Sequence, residues 1–216
     1  MILNLRGTSG SGKTTVVRNI MRRWPHAPVE FTKTARGQKP LVYRVIPTIE
    51  RRLFVFGSYA TECGGCDTIS DYKTIIPELL PRYAPLGDIL YEGMLISGTY
   101  GSIGPVLAEM ERAGHGPVIF AFLDTPLEVC LDRVRARRLA RGDLRELDPS
   151  NTASKYKAIL NAKKRISAPP LSHHVVDIDH QDAEAQVLAL LGLPNATPKA
   201  VAATEEPKKL AQVDLF

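Results

Sequence analysis

Residues 7–14 read G-T-S-G-S-G-K-T and stand between an apolar run, "MILNLRG", and a helical pattern, "KTTVVRNIMRRW". No other feature narrows the possible folds as much. The spacing G-x-x-x-x-G-K-T between a strand and a helix is that of a phosphate-binding loop. The glycines let consecutive backbone N–H groups converge on phosphate oxygens, and the helix N-terminus adds its partial positive charge. Gly7, Thr8, Ser9, Gly10, Ser11, Gly12, Lys13, Thr14 and Thr15 are therefore the expected nucleotide-binding set. Lys13 would bring a point charge to the outer phosphates, and Thr14 would offer its hydroxyl to Mg²⁺.

The rest of the chain alternates between two periodicities. "DILYEG", "PVIFAFLD" and "HVVDID" read as buried strands, whereas "GPVLAEMERAG", "TASKYKAILNAKKRI" and "AEAQVLALLG" have helical spacing. "LVYRVI" and "RLFVFG" flank Pro47-Thr48 as two strands of a hairpin, and Pro25 and Pro28 end the first helix. "TISDYKTIIPELLPRYA" predicts a helix after a capping-type Thr68-x-x-Asp71 start, bent at Pro77. "TPLEVCLDRVRARRLAR" predicts another, capped by Thr125 with Pro126 in its first turn. Strands alternating with helices imply an α/β fold of the P-loop NTPase kind: a parallel sheet with helices on both faces and the active edge at the strands' carboxyl ends. The predicted domain runs over 1–193, with a lid at about 133–149. Residues 194–209, "PNATPKAVAATEEPKK", hold too little apolar bulk to form a core and read as a flexible linker before a terminal peptide at 210–216.

The composition excludes some classes. No apolar run approaches the length of a membrane span, and Arg6 with the glycine loop interrupts any signal-peptide pattern. Three cysteines without a secretion signal read as reduced thiols. Cys63-x-x-Cys66 has no partner pair at zinc-finger spacing, since only Cys130 and scattered histidines remain. A formal charge of +5 and a pI near 9.2 suit a polyanionic partner without requiring one.

"VIFAFLDTPLEVCLDRVRARRLARG" resembles the nucleoside and nucleotide kinase branch of P-loop proteins: a strand, D-x-P-x-E, then a helix entering an arginine-dense stretch. The resemblance implies an arginine-rich lid, with Arg133, Arg135, Arg137, Arg138 and Arg141 as its members. Arg133 and Arg137 share a helix face at i, i+4, and guanidinium forks suit the charge of a transferring phosphoryl group. "DILYEGMLI" resembles the strand ending in E-G of uridine-kinase-like enzymes, which puts Glu92 beside the phosphate loop. There it would hold Mg²⁺ through water or orient the acceptor.

The acceptor side is expected in "YATECGGCDTISDY". Gly64 and Gly65 allow close approach of backbone to ligand. Asp67 is the first candidate for general base, with Glu62 and Asp71 behind it. Asp71 could equally just begin the next helix. Arg138 and Arg141 join Gly64, Gly65, Asp67 and Asp71 as the expected substrate contacts. Tyr59, Tyr72, Tyr91 and Tyr100 are either base-stacking platforms or core. Arg133 to Arg145 and Lys155 to Arg165 form a basic stretch able to track a phosphate backbone.

The chain ends Q-V-D-L-F, which resembles the peptide by which bacterial proteins bind the DNA polymerase sliding clamp. Gln212, Asp214, Leu215 and Phe216 would make that contact, with Leu215 and Phe216 in an apolar pocket. Taken with the phosphate loop, "GGCDTIS", "YEG" and the arginines, the chain resembles the bacteriophage P-loop kinases that phosphorylate 5-hydroxymethyluracil in DNA. That resemblance implies ATP and Mg²⁺, a modified-base DNA substrate, no membrane association, and the cytoplasm of an infected bacterial host. Two other readings stay open on the residues alone. One is a kinase for free nucleosides or deoxynucleotides; the other is a clamp-bound ATPase or DNA-binding accessory protein.

Overall fold

The computed structural model describes residues 1–34, 37–61, 63–95, 100–101, 103–169 and 173–195. Glu62, most of the expected linker and the whole terminal peptide (Gln212, Asp214, Leu215 and Phe216 included) lie outside the described residues.

One seven-stranded sheet organises the chain in the order β2-β3-β4-β5-β1-β6-β7. The strands are β1 (Ile2–Arg6), β2 (His26–Thr34), β3 (Gly37–Val45), β4 (Leu53–Phe56), β5 (Asp88–Glu92), β6 (Val118–Asp124) and β7 (His174–Asp179). Five of them, β4, β5, β1, β6 and β7, run parallel. The central ones read as unbroken apolar runs because helices cover both faces. On one face pack α2 (Tyr72–Tyr83), α3 (Gly104–Arg112) and α5 (Pro149–Ser167), over Phe56, Tyr91, Phe120 and Phe122. On the other lie α1 (Lys13–Arg22) and α6 (Ala183–Leu190), over Leu3, Leu5, Leu90 and Ala121. Helix α4 (Leu127–Ala140) follows β6 at the carboxyl edge of the sheet. No helix among the described residues is long and apolar enough to cross a membrane.

The sheet is mixed, not wholly parallel as the alternation of elements implied. β3 pairs antiparallel with β4, as expected of the hairpin across Pro47-Thr48, and β2 pairs antiparallel with β3. β2 departs from the expectation, in which Pro25 and Pro28 only stop the first helix. An edge strand needs ladder donors on one side alone, so Pro28 is tolerated there, and the register shifts between Pro28 and Phe31 absorb its geometry.

Three helix starts also differ from expectation. α2 begins at Tyr72 with no side-chain cap, and the Thr68 hydroxyl expected to open it donates to Gly65 O at 2.8 Å. α4 begins at Leu127 with no side-chain cap, and the buried Thr125 hydroxyl donates instead to Ser11 O at 2.9 Å. The residue read as a helix cap thus supports the phosphate loop. α5 begins at Pro149, earlier than its periodicity suggested. Asp148 caps it by accepting from Ser150 N at 2.8 Å.

Candidate active site

β1 ends at the phosphate loop, and α1 carries its first turn directly into the carboxyl edge of the sheet. Gly10 adopts φ +82° and lies against α4, where an added Cβ would meet Cys130 O at 2.3 Å. The loop can therefore only be this close to α4 with glycine there. No side chain caps the N-terminus of α1, and no acidic residue stands in its first turn, so its N–H groups are left for an anion. Lys13 is buried and donates to Gly7 O at 2.9 Å and Thr8 O at 3.0 Å. Burial draws its pKa down, and the nearby Glu92 carboxylate works in the opposite sense. The geometry is that of a cradle for phosphate, with the ammonium held on its floor.

Glu92, the last residue of β5, stands beside this floor. The Thr14 hydroxyl donates to Glu92 Oε1 at 2.9 Å, so its remaining lone pairs are directed elsewhere. A hydroxyl and a carboxylate side by side are hard oxygen donors of the kind Mg²⁺ takes, its other positions falling to water and phosphate. Glu92 is 1% exposed. Burial pushes its pKa up to about 7, opposed by Lys13 and by the Thr14 hydrogen bond.

The loop at 57–65 closes over Glu92. Gly65 has φ +80°, and a Cβ there would fall 2.3 Å from Glu92 Oε1. Gly64 packs against Thr14 and Tyr59, leaving no space for a side chain. Gly64 and Gly65 thus act first by letting this loop lie on the Glu92 carboxylate. From the short helical turn at Cys66–Thr68, Asp67 projects to the facing wall. Its carboxylate accepts from Met94 N at 2.7 Å and Leu95 N at 2.9 Å, which fixes its orientation. An open cleft of about 520 Å³ is enclosed between these parts, with Lys13, Thr14, Asp67 and Glu92 among its lining residues.

Arg133 and Arg137 both line the cleft from α4. Arg133 Nη1 donates to Gly10 O and Ser11 O, each at 3.3 Å. The other expected arginines go elsewhere. Arg138 and Arg145 both pair with Asp143, at 3.0 and 2.8 Å, and hold its carboxyl well below the usual range. Arg135 pairs with Asp132 at 2.8 Å. Arg141 Nη2 lies 3.2 Å from the exposed Cys63 Sγ at the cleft's rim. Asp71 is exposed at the start of α2 and is not part of the cleft wall. Tyr59, Tyr72, Tyr91 and Tyr100 do not line it either: Tyr91 is fully buried, and the others pack against the two cores.

Arg18 was not anticipated. It lines the cleft and donates to Tyr59 O at 3.3 Å and to Thr61 O, tying α1 to the loop that carries Gly64 and Gly65. A signal existed: Arg18 is four residues beyond Thr14, so it lies on the helix face that bears the Thr14 hydroxyl.

A family model described as 5-hmdU DNA kinase matches residues 1–169. Similar proteins include the 5-hmdU DNA kinase of Pseudomonas phage PaMx11, 34% identical over 88% of this chain and 96% of its own length. That of Pseudomonas phage M6 is 29% identical over the same shares. The 5-hmdU DNA kinase of Delftia phage PhiW-14 is 30% identical over 74% of this chain and 61% of its own.

Proposed function

Because the chain belongs to the 5-hmdU DNA kinase family, we propose that it transfers the γ-phosphoryl group of ATP to the 5-hydroxymethyl oxygen of 5-hydroxymethyluracil in DNA. The observation that carries this reading is the separation of two carboxylates across one cleft. Glu92 is buried beneath Gly65 and bonded to Thr14, on the phosphate side. Asp67 is half-buried, oriented by two backbone amides, and faces the open volume.

The roles divide accordingly. Residues 7–15 hold the nucleotide phosphates, with Lys13 as the charge on the outer ones. Thr14 would hold a Mg²⁺ ion and Glu92 would reach it through water; bound there, the ion would supply charge neutralisation to the phosphates. The acceptor hydroxyl oxygen forms a bond to the γ-phosphorus as the bond to the β,γ-bridging oxygen breaks. ADP leaves with that electron pair, and the hydroxyl proton passes to Asp67. Arg133 and Arg137 stabilise the spread charge from the α4 side, as a lid over residues 133–149 would require. The target base must leave the stack to reach this cleft, so a flipped or single-stranded nucleotide is implied.

The terminal Q-V-D-L-F supports a second assignment, binding to a bacterial sliding clamp through Gln212, Asp214, Leu215 and Phe216. A clamp contact favours a polymeric substrate, because raised local concentration near DNA gains nothing for a free nucleotide.

The test is transfer from γ-labelled ATP to three acceptors: 5-hydroxymethyluracil DNA, the free deoxynucleoside and its monophosphate. Label on the DNA, with a mass gain of one phosphate on the modified base, is the expected result. Label on the free compounds alone would replace this reading with a nucleoside or nucleotide kinase. Hydrolysis with no labelled acceptor would leave a DNA-associated ATPase.

A further inference from the structure

The β2–β3 hairpin contributes no lining residue to the cleft. All nine residues of β2 are exposed or half-exposed, although the strand is hydrogen-bonded along its length to β3. A long open edge strand is a liability unless something covers or guards it.

Its placement is specific. Val42 of β3 pairs with Phe56, the last residue of β4, and the ladder continues once more through Gly57 N to Leu41 O at 2.7 Å. Residues 37–40 therefore overhang the parallel strands by roughly 13 Å, at about 3.3 Å per residue. β3 enters the sheet from its carboxyl edge, so the overhang stands on the edge that carries the phosphate loop and Glu92. Lys39 Nζ fastens it there by donating to Thr68 O at 2.6 Å, one residue from Asp67.

Its charge is one-sided. Residues 26–45 contain four basic side chains, Lys33, Arg36, Lys39 and Arg44, and one acidic, Glu30. Glu30 is already engaged by Arg82 at 2.7 Å and by the Tyr83 hydroxyl at 2.6 Å. Lys33 meets no carboxylate among the described residues. Phe31, two residues before it, is 46% exposed. Arginines and lysines of the expected basic stretch fare differently: Arg135, Arg138, Arg145 and Lys163 are each paired with an aspartate. Lys33 is thus better placed to meet an external polyanion than these four.

We infer that the β2–β3 hairpin is a DNA-guiding wing, with Lys33 on the phosphate backbone beside the target nucleotide and Phe31 against the adjoining sugar or base. A two-stranded ribbon is narrow enough to follow a groove, and an exposed ring can stack on any base. The inference rests on the reading of the cleft as acting on DNA.

Fluorescence anisotropy tests it, with the full-length protein, a labelled duplex carrying 5-hydroxymethyluracil, and a series of KCl concentrations. The variants are Phe31→Ser combined with Lys33→Glu, and Lys33→Gln alone as the milder change. Both alter exposed positions, and a melting curve checks that each is folded. The double variant should bind about tenfold more weakly, and Lys33→Gln should lower the salt slope by about one, with the KM for ATP unchanged. Wild-type affinity and slope in both variants would overturn the wing, as would a wild-type protein that binds no DNA. A wild-type dimer that the double variant breaks would also overturn it, because β2 would then pair with a second copy. The two readings fail separately. DNA binding that depends on the hairpin without phosphate transfer sinks the chemistry and keeps the wing. Transfer with an unchanged KM for DNA in the variants does the reverse.

Discussion

Glu92 brings a buried titratable carboxyl to the cleft. Its pKa is raised to about 7, mainly by burial, from an ordinary value of 4.5. A carboxyl raised in this way binds a proton in the folded state that the unfolded chain has already lost. Between about pH 4.5 and 7, stability therefore falls as pH rises. Glu92→Gln removes the titrating group while Lys13 keeps its bonds to Gly7 O and Thr8 O. Near pH 8 the variant should melt roughly 5 °C above wild type, and the gap should close as the pH falls below about 5. A gap independent of pH in calorimetry would mean that Glu92 is ionised throughout. The activity should move the opposite way: transfer by the wild type rises through about pH 7 as Glu92 ionises beside Thr14, and the variant loses that limb.

Asp67 and Lys13 make a contrasting pair at the same scale. Asp67→Asn should reduce kcat by about two orders of magnitude or more and leave the KM for ATP nearly unchanged. An unaltered kcat would transfer the role of base to another group. Lys13→Ala should cost a comparable factor in kcat/KM while the melting temperature stays close to wild type, read by steady-state kinetics and circular dichroism.

At the scale of elements, the loop at 57–65 is where backbone geometry decides function. Gly65→Ala would force a Cβ to 2.3 Å from Glu92 Oε1 at φ +80°, so either the loop lifts or the carboxylate turns. The expected cost is about 2 kcal/mol or more of stability, together with weaker metal-dependent nucleotide binding. Gly101→Ala is the control, because its Cβ meets nothing within 4 Å. Equal melting temperatures for the two variants would show that the roof over Glu92 is loose. How much of this was legible follows from the range of each interaction. The phosphate loop, the ends of β1 and β5 and the shared face of Arg133 and Arg137 are set by local spacing, and the sequence displays them. Thr125 was read as a cap because its true acceptor, Ser11 O, is 114 residues away in the chain. β2 was missed because an edge strand is specified by its partner's register, and its one strong local signal, Pro28, argues against a strand.

For the molecule as a whole, the cleft and the last described residue stand at different places. The cleft lies at the carboxyl edge of the sheet. The described chain ends at Asn195, held by Arg23 through Nη1 to Asn195 O at 2.6 Å and Nη2 to Oδ1 at 3.2 Å. Arg23 closes α1 at the end remote from the phosphate loop, about 15 Å away along a ten-residue helix. If 194–209 is the linker its composition suggests, it adds a reach of roughly 20–25 Å. A partner bound at 210–216 would then hold the kinase near DNA without blocking the phosphate loop. Deleting residues 210–216 should accordingly leave kcat and KM on a short oligonucleotide unchanged. The same deletion should abolish co-elution with a bacterial sliding clamp and remove any stimulation of transfer by clamp loaded on long DNA. Clamp binding retained by the truncated protein would move the contact to the folded domain. A loss of activity on short oligonucleotides would instead give the tail a place in the cleft.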